Sequence, residues 1–98
     1  MEFEWNPDKN DSNIQKHGIS FEIATQVFAD PLQIAMQDRI ENGEERWQTL
    51  GKVQDYTLVL VAHLIWDEVD GAEVVRLISA REATPKERKF YEQENQYY

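Results

Sequence analysis

Arg46, His63 and Arg76 lie in three separate runs of apolar and polar residues that read as β-strands. Side chains alternate between the faces of a strand, so neighbouring strands can bring such residues into one row. A guanidinium grips a phosphate through parallel N–H donors without losing its charge, and an imidazole exchanges a proton near neutral pH. That set suits either chemistry on a phosphate ester or the clamping of an anion. Like charges set directly opposite one another destabilise a sheet. A cationic row therefore calls for an anionic partner, either Glu41, Glu44 and Glu45 within the chain or a phosphate from outside.

The elements that would position these residues can be traced in order. "EFEW" reads as a short first strand, and Asn6-Pro7 as an N-cap with proline at the first helical position, opening a helix that stops near Gly18. Ser20 caps a second helix, whose Phe21, Ala24, Val27 and Phe28 keep the helical period until Asp30-Pro31 ends it. "LQIAMQD" alternates strictly and starts a run of strands, the next three expected at about 45–53, 56–66 and 73–80. Asn42-Gly43, Gln54-Asp55 and Asp70-Gly71 read as the tight turns between them. Thr84-Pro85-Lys86-Glu87 carries a capping box and starts a last helix. The expectation is an α+β fold: a short N-terminal strand, two helices, a four-strand antiparallel meander and a C-terminal helix.

Two-residue turns then predict the register. Arg39 falls opposite Arg46, Met36 opposite Thr49, Arg46 opposite His63, Ile65 opposite Arg76, and His63 opposite Ile78. One face would hold Leu32, Ile34, Met36, Trp47, Val53, Tyr56, Leu58, Leu60, Leu64, Trp66, Val75 and Leu77, and the helices would cover it. Arg39, Arg46, His63 and Arg76 would line the other, polar face. A slip of one residue at any turn would swap the faces.

The totals set bounds on function. The chain has 98 residues, expected to form one domain over 1–98, and no cysteine, so neither disulfides nor thiolate metal sites arise. With 19 Asp+Glu against 10 Lys+Arg the formal charge is −9, which argues against a generic nucleic-acid binder and suits a basic partner. Five of the ten bases nevertheless lie between Arg76 and Lys89. The opening "MEFEWNPDKN" lacks the pattern of a signal peptide and "LVLVAHLIW" is too short to span a bilayer, so a soluble cytoplasmic chain with no membrane contact is expected. No ligand spacing points to a metal, and no cofactor is expected.

"FEW", "KHGISFE", "VFADP", "EERW" with Gly51 four residues later, "RLISAREAT" and "ER" before Tyr91 run in order through nearly the whole chain. Together they resemble the BrnT family of type II toxins. The resemblance implies a RelE-like fold and a metal-independent ribonuclease that stops translation. It also implies neutralisation by a BrnA-like antitoxin that itself binds DNA, so that DNA is met only indirectly. The family's motif positions fall on Lys16, His17, Gly18, Glu45, Arg46, Trp47, Arg76, Ser79, Arg81 and Arg88. Glu82 stands where the family commonly has a base, and "WDEVDGAE" adds acids, so affinity for free RNA should be modest.

Cleaving RNA without a metal requires a base for the 2′-OH, cationic donors for the phosphate oxygens and an acid for the leaving oxygen. Arg46 and Arg76 are the candidate donors and His63 the candidate acid or base, its pKa lowered by flanking arginines. Lys16, His17, Arg39, Arg81 and Arg88 are candidate substrate contacts. "KHG" equally serves to end a helix, Arg81 and Arg88 to pair with acids, and Ser79 to pack in the core. The alternative function is a non-catalytic acidic module that binds a basic DNA-binding partner.

Overall fold

The computed structural model describes residues 1–96. Strand β1 (Glu2–Glu4) leads into helix α1 (Pro7–His17), where the Asn6 side chain accepts from the Asp8 and Lys9 N–H groups and Gly18, at φ 71°, closes the last turn on Ile14. Ser20 caps α2 (Phe21–Ala24), which tightens into a 3-10 helix over Thr25–Ala29 before Asp30-Pro31. Then come β2 (Ile34–Glu41), β3 (Glu44–Lys52), β4 (Leu58–Asp67), β5 (Glu73–Glu82) and α3 (Pro85–Glu94), the last held by the reciprocal Thr84/Glu87 capping box. The five strands form one mixed sheet in the order β1-β5-β4-β3-β2, with β1 parallel to β5 and the rest antiparallel. Among the described residues no helix is long and apolar enough to cross a membrane.

The element order matches expectation, but the register does not. Asn42 and Gly43 both take positive φ, as a two-residue mirror-image turn requires, yet a bulge between Gln37 and Ile40 sets Met36 opposite Gln48 rather than Thr49. The second connection is not a two-residue turn. Gln54–Tyr56 forms a short 3-10 segment with Asp55 and Tyr56 at positive φ, and the extra residue places Trp47, not Arg46, opposite His63. At the third turn only Gly71 is left-handed, so the loop takes three residues, Val69 to Gly71, between Glu68 and Ala72. Arg76 therefore pairs with Leu64 instead of Ile65, until a bulge at Ile78 restores the expected register from Ala62↔Ser79 onward.

These shifts divide the apolar residues between both faces of the sheet. On one face α2 and the 3-10 helix cover Val59, Val61, Val75, Leu77 and Ala80, with Phe21, Ala24 and Val27 buried among them. Gly51 permits this contact, since a Cβ there would lie 2.9 Å from the Val27 carbonyl oxygen. On the other face α3 lays Tyr91 over Leu50, Leu58 and Leu60. The single covered face expected from the sequence is thus corrected to two, and Tyr56, expected in the core, is exposed. Helix α1 lies against β5 beyond the end of the short β1. There the buried Asn13 side chain donates to the Ala80 carbonyl at 2.8 Å and accepts the Ala80 N–H at 3.0 Å, replacing a neighbouring strand.

Candidate functional site

Helix α3 covers only part of its face. The remainder is open, and the register sets Leu64, Arg76 and Glu4 in one row across β4, β5 and β1, with Arg46 on β3 just before its pairing with β4 begins at Trp47↔His63. Arg46 and Arg76 line a hollow of about 260 Å³ together with Lys9, Glu44, Leu64, Trp66 and Ile78. A second hollow of about 250 Å³ shares Lys9 and Ile78 with the first and adds Ser12, Asn13, Lys16, His17 and Ser79. The two form a trough between the sheet and α1, lined by cationic groups from three elements.

Each arginine has a carboxylate beside it. Arg76 Nη1 lies 3.5 Å from Glu4 Oε2, and Arg46 Nε lies 3.4 Å from Glu41 Oε2. The Arg46 contact is an ion pair by distance but lacks hydrogen-bond geometry, and Arg46 Nε is buried without a hydrogen-bond partner. The arginine side chains are 23% and 45% exposed, respectively, so an anion can reach both. A phosphate could replace the carboxylates as the partner that a cationic row demands.

The other expected site residues are placed differently. His63 is 3% exposed and lies beneath Phe28, whose ring meets it edge-on at 5.0 Å. Its Nδ1 is 3.2 Å from the Leu64 carbonyl, which can only accept, so Nδ1 carries the proton and Nε2 accepts from the Thr49 hydroxyl at 2.8 Å. Burial holds the imidazole below its ordinary pKa of 6.5, partly opposed by the Leu64 carbonyl. The lowered pKa expected for His63 is present, but burial rather than flanking arginine is its cause, and the residue is turned away from the open face. Arg39 sits in the β2 bulge, exposed, and pairs with Glu41 at 2.9 Å. Arg81 is locked to Glu87 by two bonds of 2.8 and 3.0 Å. That pairing, with help from the Thr84 N–H and hydroxyl and against the effect of burial, lowers the Glu87 carboxyl to about 2. Arg88 is half-buried in α3 and lines neither hollow of the trough.

Lys16 and His17 do reach the trough, and Ser79, expected to pack in the core, faces it as well. Sequence reasoning missed Lys9, Glu4 and Trp66, while Glu44, expected as an anionic partner of the arginines, does line their hollow. A signal for Lys9 was present, because Lys9, Ser12, Asn13 and Lys16 follow the i, i+3, i+4, i+7 spacing of one helical face. No comparable signal marks Glu4 or Trp66, whose positions depend on the β1–β5 pairing and the three-residue loop. Among the described residues no group of three His, Asp or Glu side chains is placed to hold a metal ion.

Comparison with known proteins bears on this arrangement. A family model described as "Ribonuclease toxin, BrnT, of type II toxin-antitoxin system" matches residues 5–87. Among solved structures, the chain resembles the 1.1 Å crystal structure of the Brucella abortus ribonuclease toxin BrnT, with a TM-score of 0.65 and 24% identity over 86% of this chain and 97% of that one. At that identity the likeness shows the fold. No curated protein matches the sequence.

Proposed function

The chain belongs to the BrnT family of ribonuclease toxins of type II toxin–antitoxin systems, and we propose that it cleaves RNA without a metal at the trough between α1 and the open face of the sheet. The observation that carries this reading is the convergence of Arg46 and Arg76 on one hollow. A phosphodiester between them would have its non-bridging oxygens held by forked donors as negative charge builds in the transition state. Lys9, Lys16 and His17 extend the trough and would hold neighbouring phosphates. Proton transfer falls to side chains that reach this surface, with His17, Glu4 and Glu44 the titratable groups in place. His63, sealed under Phe28, is assigned to the core. Arg39, Arg81 and Arg88 receive no substrate role, since none of the three lines the trough.

The family implies an antitoxin partner. We take it to be a BrnA-like protein that binds DNA and whose basic surface meets the acidic body of this chain, in the cytoplasm. We also take residues 1–98 as one RelE-like domain. Two features favour the alternative, a non-catalytic module: the net charge of −9, and the glutamates seated beside both arginines. Induced expression separates the two readings. Wild type should arrest growth, and Arg46→Ala/Arg76→Ala at matched soluble levels should not, while still binding the antitoxin. No arrest by either protein would support the module instead.

A further inference from the structure

The sheet forks beside the arginines. Strand β3 pairs with β4 only from Trp47 to Lys52, although β3 begins at Glu44 and β4 continues to Asp67. Leu64 and Trp66 line hollows on both sides of this fork. One contains Arg46, Arg76 and Lys9, the other, about 280 Å³, contains Glu45 and Ile65, and Glu44 lines both. Trp66 belongs to neither apolar core and has no aromatic partner among the described residues, whereas Trp5 packs against Phe21 in the core. Its indole N–H donates to Glu68 Oε1 at 3.0 Å. The ring's one polar atom is thus committed to its own hairpin, leaving the π surface as what it can offer a ligand.

We propose that Trp66 is the platform on which a nucleobase of the RNA stacks while Arg46 and Arg76 hold the adjoining phosphate. The inference rests on the ribonuclease reading above. Single-stranded RNA is commonly held by unstacked bases laid on aromatic rings beside a cationic track for the backbone. The cationic groups line one hollow only and Glu45 lines only the other, which orients the nucleotide. The Glu45 carboxylate repels the phosphate, while Arg46, Arg76 and Lys9 outweigh the shared Glu44 and attract it, so the backbone runs on the arginine side and the base turns towards Trp66.

The test uses the full chain with Trp5→Phe and Trp47→Phe, so that Trp66 is the sole tryptophan, titrated with a short single-stranded 2′-O-methyl RNA that cannot be cleaved. Quenching of the indole fluorescence is expected, and replacing the stacked nucleotide with an abasic one should abolish it. In the otherwise native chain, Trp66→Ala should weaken binding of the same RNA, read by anisotropy of a labelled oligonucleotide, roughly 5- to 150-fold, with Trp66→Phe recovering most of the loss. On the abasic RNA Trp66→Ala should cost nothing further, a result that damage to the fold would not produce. RNA cleavage by wild type, with no quenching and with equal binding by Trp66→Ala, would overturn this inference and leave the ribonuclease reading intact. Base-dependent quenching without cleavage would sustain the platform and refute the nuclease. Neither cleavage nor binding would refute both.

Discussion

At the scale of single residues, the two histidines of this chain have opposite roles. His63 is a neutral core residue with both ring nitrogens satisfied, while His17 stands exposed at the mouth of the trough. Burial lowers the folded-state pKa of His63, so the unfolded chain binds the extra proton first. Stability should then rise with pH up to about the unfolded value of 6.5, and fall as pH drops from there towards the folded pKa. His63→Gln should lose that pH dependence. It should also cost roughly 1–3 kcal/mol through its imperfect hydrogen bonds, while cleavage per folded molecule stays near wild type. Denaturant titrations across pH 5 to 8 check this, and a large loss of activity with stability intact would return His63 to the site.

At the scale of elements, the helices divide between building the core and shaping the trough. Asn13 fixes α1 along β5 through both backbone groups of Ala80, and Tyr91 fixes α3 by donating to Asp30 at 2.6 Å. Asn13→Ala leaves the buried Ala80 N–H unpaired and should destabilise the fold by roughly 1–3 kcal/mol. Because α1 carries Lys9, Lys16 and His17, the same change should also weaken RNA binding under conditions where the protein remains folded. Thermal melts and binding titrations run together would reveal either effect. Caps, prolines and hydrophobic period made these elements legible in the sequence, since each is a local signal. What was not legible was register. Gln54-Asp55 carries no strong turn chemistry, Asp70-Gly71 fits a three-residue loop as well as a two-residue one, and the bulges at Asp38–Arg39 and Ile78 leave no mark in the alternation. One-residue slips exchange faces, so Arg46 and Arg76 were correctly expected on the same face, but with His63 as their neighbour instead of Leu64 and Trp66.

At the scale of the whole molecule, an acidic body surrounds a narrow cationic track. Its long-range field repels RNA, so binding depends on the few phosphates the trough can hold. With about three phosphates neutralised, raising salt from about 50 to about 200 mM should weaken single-strand binding only about 10- to 20-fold. A loss of about a thousandfold would reveal a broader basic surface than the structure presents. The same field favours a basic partner.

The central claim is that Arg46 and Arg76 form a phosphate-cleaving site that needs no metal. Its most direct test is incubation of purified wild type and of Arg46→Ala/Arg76→Ala with single-stranded RNA in excess chelator. Wild type should cut, and the double variant should lose about a hundredfold or more of the rate with its melting temperature little changed. Equal cutting by both proteins, or cutting by wild type that vanishes in chelator and returns with a divalent ion, would contradict the account.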